Sequence, residues 1–220
     1  MRKYHFLASL DIDSQQCFTP LCPDELPVPD GHNIADELNN QAKFAARRIG
    51  SKDAHSKDAP WVTTAPELVN TPLTVSKGEP GHKNIDVYWP QHAVPGTKGF
   101  ELIPGLPRPA EYDFFIWKGV ELDMHPYGLC YHDLSCKLTT GLIEYLRYHS
   151  ITHIVAGGLS LEFCVKTTIL QLLDAGFTVI VNLAATRGIY DTLVEQAKKE
   201  MLEKGVVFIE NYLEFAKYIK

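Results

Sequence analysis

The chain is 220 residues long, 45% hydrophobic and 22% charged, with a net charge of −6. That is the composition of a globular protein with a substantial core, and an acidic balance without any basic run excludes nucleic acid or an anionic membrane as the main partner. No apolar run approaches the roughly 18 residues that span a bilayer. The five cysteines, an odd number in no metal-finger spacing, fit a reduced cytoplasmic protein better than a disulfide scaffold.

The opening, Met1 to Asp13, has basic residues before an apolar run. Asp11 and Asp13 interrupt that run and no small-residue cleavage site follows, so it reads as a first strand, His5 to Ile12, rather than a leader. A Pro-rich loop from Thr19 to Pro29 leads to a helix expected from Asn33 to about Gln41, with Asp30 and Asn33 as caps. Phe44 to Ser51 is expected as a second strand. From Lys52 to Pro109 the chain is rich in Pro, Gly and Thr with little periodicity, and a loop of that length is usually functional or disordered. Tyr112 to Trp117 is a third strand, with Lys118-Gly119 at its end. Lys137 to His149 is predicted as a helix carrying Leu138, Leu142, Tyr145 and Leu146 on one face. Ile151 to Ala156 reads as a short buried strand broken by Gly157 and Gly158. A helix then starts near Glu162, with Val165, Ile169, Leu172 and Leu173 in register. A strand at Phe177 to Asn182, a helix from Tyr190 to about Glu203, a strand at Val206 to Ile209 and a terminal helix complete the chain.

Strands alternating with helices imply right-handed crossovers and an α/β fold with a mostly parallel sheet covered on both faces, here one domain over residues 1–220. Ligands of such sheets bind beyond the carboxyl ends of the strands. Asp13, Lys118 and the loop carrying Cys164 all fall at that edge. At the start of a helix, Cys164 would feel the positive end of the helix dipole, which favours a thiolate, and the free N–H groups there could receive an oxyanion. Alone, such a cysteine is more often a small inert hydrophobe. Asp13 alone reads equally well as a turn aspartate, and Lys118 as a lysine snorkelling from a strand end. Their coincidence at one edge points instead to a nucleophile, a base and a group that orients the base. Period-2 alternation also puts Asp11 on the face of Asp13, with nothing in the sequence to neutralise it.

Asp53, His55 and His92 offer one carboxylate and two imidazoles, a set that suits Zn2+, Mn2+ or Fe2+. Asp58, Glu67 and His82 read as solvated loop residues. Phe18 and Trp89 could box a flat ring or simply pack in the core.

With these residues in place, the chain resembles the isochorismatase-like cysteine hydrolases, and within them the nicotinamidases, from the first strand to about Arg187. The family's D-x-Q-x-x-F stands at Asp13-Ser-Gln15-Gln-Cys-Phe18, and its metal motif D-x-H at Asp53-Ala-His55. W-P-x-H-C-V is matched by Trp89-Pro-Gln-His92-Ala93-Val94, the catalytic Lys-Gly by Lys118-Gly119, and the nucleophile motif by Gly158 to Val165. The resemblance implies a six-stranded sheet of order 3-2-1-4-5-6 and a triad of nucleophile Cys164, base Asp13 and orienting Lys118. It also implies a cis peptide at Leu159–Ser160 and an oxyanion hole from the N–H groups of Ser160 and Cys164. One divalent metal, Zn2+ before Fe2+ or Mn2+, would sit on Asp53, His55 and His92 and take the ring nitrogen of a small aromatic amide flanked by Phe18 and Trp89. Nicotinamide would be the substrate, within NAD salvage, and pyrazinamide a side substrate, with self-association left open.

Leu161-Glu162 replaces the family's Thr-Asp, Ala93 replaces the Cys of its motif, and Trp61 stands nearest to where some members carry a fourth ligand. Glu121 to Asp133, with His125, Tyr127 and His132, departs most and leaves open another small amide or ureido substrate. More distant readings are an iron oxygenase with Asp53, His55 and His92 as a facial triad, and an inactive binding module.

Overall fold

In a computed structural model of the protein, residues 4–73 and 84–218 are described, and His82 lies outside them. Six strands form one sheet in the order β3-β2-β1-β4-β5-β6: β1 Tyr4–Ile12, β2 Ala45–Asp53, β3 Phe114–Lys118, β4 His153–Leu159, β5 Thr178–Arg187 and β6 Val207–Ile209. Every pairing is parallel, which is why the central strands are apolar toward both faces. In β1, Ala8, Leu10 and Ile12 pack with Leu142 and Leu146 of α2 (Leu142–Tyr148) and with Ile169 and Leu172 of α3 (Lys166–Asp174). Leu7, on the opposite face, packs with Phe215. Leu38 of α1 (Ala35–Ala42) packs on Leu159 and Ala185, and α4 (Asp191–Glu203) places Ala197 and Met201 in the core shared by α2 and α3. The expected α/β architecture and strand order are both present.

Several boundaries move, each for a local reason. Asp30 and Asn33 do not cap α1. The chain enters that helix through a 3-10 turn, Gly31–Ile34, while Asn33 Nδ2 donates to the Asp30 carboxylate at 3.3 Å. The helix expected from Lys137 begins only at Leu142. Gly141 takes a positive φ of 86°, the Asp133 carboxylate accepts from the N–H groups of Lys137 and Leu138, and Leu138 is exposed. The segment after β6 winds as a 3-10 helix, Tyr212–Lys217, rather than an α-helix.

The glycine pair also behaves differently from expectation. Gly157 and Gly158 continue β4 to Leu159 instead of ending it, and they are glycines because neighbours leave no room. A Cβ on Gly157 would lie 2.5 Å from the Ala185 carbonyl oxygen. One on Gly158 would overlap the Ile12 carbonyl, and its φ of +129° is a conformation L-residues avoid. Gly158→Ala is expected to cost about 3 kcal/mol, strain and overlap together. Urea unfolding measures it, with Gly176→Ala (φ +91°, nothing within 4 Å) as the reference for strain alone. Equal midpoint shifts in the two variants would contradict the close approach.

Arg48, on the neighbouring strand, neutralises Asp11. Its Nε and Nη2 donate to Asp11 Oδ2 at 2.9 and 2.6 Å, and the Tyr112 hydroxyl donates to the same oxygen at 2.8 Å. Asp13 lies past the end of β1 at a φ of +41°, so strand alternation no longer governs it, and its side-chain contacts are with other groups.

Candidate active site

The carboxyl ends of four adjacent strands deliver the chemistry in spatial order. Lys118 closes β3, Asp53 closes β2 directly opposite it in register, and Asp13 follows β1. Beyond β4 a π-helical turn, Leu161–Val165, carries Cys164 ahead of α3. Gln15 fastens two of these ends together: its Nε2 donates to the Asp53 carbonyl at 2.9 Å, and its Oε1 accepts from the Asp53 N–H at 2.7 Å. Nothing in the motif alone assigned that role to the glutamine. The Leu159–Ser160 peptide is cis, as the resemblance implied.

Lys118 is wholly buried, and its ammonium gathers the other groups. It donates to Asp53 Oδ1 and to the Pro126 carbonyl at 3.0 Å, lies 3.1 Å from Asp13 Oδ2, and is 3.7 Å from Cys164 Sγ. Asp13 Oδ1 accepts from Ser51 Oγ at 2.6 Å. One ammonium thus serves two buried carboxylates, and they divide unequally. Burial raises Asp13 to about 6, with Lys118 pulling it down and Asp53 pushing it up. Burial also pushes Asp53 upward, but Lys118 and the neighbouring imidazoles outweigh it and hold that carboxyl below the usual range. Lys118 loses some proton affinity to burial, yet Asp13 and Asp53 keep it firmly charged.

Cys164 departs from expectation. Burial raises its thiol well above the ordinary value, and Lys118 lowers it by less. The helix dipole does not produce a resting thiolate here, because the sulfur is 6% exposed and desolvation is the larger effect. The arrangement holds a neutral thiol beside a carboxylate able to take its proton.

Beside this triad lies a group of imidazoles. His55 Nδ1 is 3.1 Å from the Gly119 carbonyl oxygen and His92 Nδ1 is 2.8 Å from that of Pro90, which leaves each Nε2 for something else. His55 Nε2 sits 3.4 Å from Asp53 Oδ1, so Asp53 stands between triad and imidazoles. His125 joins them: one ring nitrogen from each of His55, His92 and His125 lies within 4.8 Å of the others. Buried nitrogens without partners among the described residues, on side chains of this chemistry, fit a divalent cation. Burial pushes His92 down to about 3 and His125 well below the ordinary imidazole value, so both rings are neutral and keep a lone pair. Trp61, near where a fourth ligand was considered, is fully buried with its ring against all three histidines. Asp58 and Glu67 are exposed, as expected.

A narrow cavity opens above Cys164, and Phe18, Trp89, Tyr127, Phe163 and Ser160 are among its lining residues. The two sequence-predicted aromatics therefore face it. Tyr127 comes from the departing segment 121–133, whereas Phe163 was missed, although it is aromatic and directly precedes Cys164. Trp89 Nε1 donates to the Tyr127 hydroxyl at 3.2 Å, and that hydroxyl donates to Asp86 at 2.8 Å. Glu162, at the position where the sequence departs from the family, accepts from the N–H groups of Ile189 and Tyr190 at 2.7 and 2.9 Å and so ties the loop after β5 to the nucleophile turn. Among the described residues no helix is long and apolar enough to cross a membrane.

The isochorismatase domain family matches residues 12–211. The nicotinamidase of Escherichia coli is 29% identical over 170 residues, spanning 74% of this chain and 76% of that protein. Among solved structures, a nicotinamidase/pyrazinamidase of Acinetobacter baumanii superposes with a TM-score of 0.78 at 26% identity, covering 96% of this chain and 99% of the other. The pyrazinamidase of Pyrococcus horikoshii in complex with zinc gives 0.70 at 27% identity, covering 93% and 98%. The matched span runs from the end of β1 to beyond β6 and takes in Asp13, Lys118 and Cys164, and on that ground the chain belongs to the isochorismatase domain family.

Proposed function

We propose that the protein is an amidohydrolase that converts nicotinamide to nicotinate and ammonia through a thioester on Cys164, in NAD salvage. The observation that carries this reading lies beneath the aromatic cavity, where Cys164 on its lining meets the buried Asp13 carboxylate and Lys118 ammonium beside a cluster of imidazoles.

Asp13 takes the Cys164 proton as the sulfur attacks the carboxamide carbon, and the oxyanion is received by the N–H groups of Ser160 and Cys164. Asp13 then protonates the departing nitrogen, the C–N bond breaks, and ammonia leaves a thioester. In the second half Asp13 accepts a proton from water, the water oxygen attacks the thioester carbon, and the proton passes to the sulfur as nicotinate departs. Lys118 keeps Asp13 in place through both halves. Phe18 and Trp89 flank the ring. A divalent metal held by Asp53, His55 and His92, Zn2+ in preference to Fe2+ or Mn2+, would supply the positive charge that anchors the pyridine nitrogen. Pyrazinamide presents a ring nitrogen in the same place and is a second substrate. The whole chain, residues 1–220, acts as one hydrolase domain in the cytoplasm.

Purified protein is expected to release ammonia from nicotinamide. Stripping the metal with a chelator should lower kcat/KM at least about 100-fold, and adding Zn2+ back should restore it. A metal-loaded protein that releases no ammonia from nicotinamide would overturn the substrate, and full activity after stripping would overturn the metal's part.

A further inference from the structure

The segment 121–133, where the sequence departs most from its family, brings His125 into the imidazole cluster. His125 is 4% exposed, and neither of its ring nitrogens has a hydrogen-bond partner among the described residues. A neutral imidazole carries one N–H and one lone pair, and burying both unsatisfied costs about 1–3 kcal/mol for each. The large majority of buried polar side-chain atoms are satisfied by protein, ordered water or a bound group, so a ring with both nitrogens open marks a place for one.

The surroundings aim the ring rather than merely enclose it. The His125 ring stacks on His55, with centroids 4.9 Å apart and planes 19° from parallel, and lies 6.1 Å from His92. Trp61 packs its edge against His125 at 4.5 Å. The backbone is fixed as well: His125 N–H donates to the Asn84 carbonyl at 2.8 Å, and the next residue's carbonyl, Pro126, accepts from Lys118. His125 thus reaches the cluster from the strand-end side that also holds the catalytic lysine. The carbonyls of Gly119 and Pro90 occupy Nδ1 of His55 and His92, which directs both Nε2 lone pairs to the space His125 faces. Asp53 stands at the same cluster, its Oδ1 shared between Lys118 and His55 Nε2, the latter at 3.4 Å.

We propose that His125 is a further protein ligand of the metal, joining Asp53, His55 and His92 so that three imidazoles hold the ion, with Trp61 closing the side from which any other ligand would otherwise come. The inference rests on the metal-dependent reading above but concerns which residues bind the ion, not which amide is cleaved. A third imidazole in place of water makes the site softer and more selective for Zn2+ or Co2+ over Mg2+ and Mn2+. It also leaves one fewer position on the metal for water or substrate.

The test is metal binding, independent of any turnover. Zn2+ affinity of the full chain is measured by chelator competition for the wild type, His125→Ala and His125→Gln, and the Co2+-substituted proteins are compared by visible absorption. Both variants are expected to bind Zn2+ at least about 10–100-fold more weakly, the range seen when metal-site support is removed. Their Co2+ bands should shift and lose intensity. In the wild type, which needs no variant to fold, 15N-histidine NMR should show three imidazoles, not two, changing to metal-bound shifts on Zn2+ addition. Zn2+ affinity within about threefold of wild type with an unchanged Co2+ spectrum, or only two imidazoles responding, would overturn the proposal. A His125 ring that does not respond to Zn2+ in a protein that still hydrolyses nicotinamide would overturn it too while leaving the amidase reading standing.

Discussion

Cys164→Ala is expected to lower kcat/KM for nicotinamide by at least about 10⁴-fold, with the fold retained. Sγ lies at the foot of the cavity, 3.7 Å from Lys118 Nζ and grouped with the Asp13 and Asp53 carboxylates within 4.8 Å, so truncation removes the attacking atom and leaves its partners in place. Cys164→Ser should be nearly as inactive. A hydroxyl gives up its proton far less readily than a thiol, and a carboxylate with a pKa of about 6 is too weak a base to take it. Stability should fall by only about 1 kcal/mol, the cost of a small buried void. Turnover, urea midpoint and Zn2+ content measured on one preparation separate the effects. Alanine protein that keeps more than a few per cent of wild-type activity would remove the thioester from the mechanism.

Lys118→Met should have the second largest effect, and here it falls on stability as well as activity. Methionine fills much of the lysine's volume but leaves Asp13 and Asp53 buried with no counter-charge, an arrangement that costs about 3–5 kcal/mol at neutral pH. With the ammonium gone, burial and mutual repulsion raise both folded-state carboxyl pKa values above their unfolded values near 4. The folded variant then binds more protons than the unfolded chain, so its stability rises as pH falls from neutral toward about 4. The wild type behaves oppositely at Asp53: that carboxyl is held low in the fold, and the stability it contributes is lost on acidification. The gap between the two proteins should therefore narrow from pH 7 to pH 5 in urea or thermal unfolding. A gap that stays constant or widens would mean that Lys118 does not neutralise this pair. Hydrolysis should fall at least about 100-fold, because Asp13 becomes protonated and can no longer act as base.

The parallel sheet, its two-sided helical cover and the placement of Asp13, Lys118 and Cys164 at one sheet edge were legible from periodicity and strand ends, each written within a few residues of chain, whereas the strand order came only from the family resemblance. The motif at Asp13-Ser-Gln15 and the Lys118-Gly119 pair stand where strand ends must put them once a parallel sheet is inferred. Gly157 and Gly158 were read wrongly as a break. Gly158 is dictated by the Ile12 carbonyl and Gly157 by Ala185, on neighbouring strands that local sequence cannot see. Leu138 was likewise assigned to a helix by spacing alone, whereas Gly141 and the Asp133 carboxylate stop the helix short of it.

The larger gaps concern electrostatics and partners far apart in the chain. Arg48 meets Asp11 across 37 residues and Ser51 meets Asp13 across 38, so neither pairing can be read from a motif. His125 sat in an unfamiliar segment with no spacing that marks a ligand, and it joined His55 and His92 only through the packing of that segment against Asn84, Trp61 and Lys118. The protonation of Cys164 reversed for the same reason. A helix start favours a thiolate by a dipole the sequence can reveal, but the net balance depends on how completely the sulfur is shut off from water and which charges stand beside it. Local pattern determined which groups this protein carries to the sheet edge; burial and distance, set by the register and packing of segments remote in the chain, decided which of them are charged, which are paired and which are free to bind.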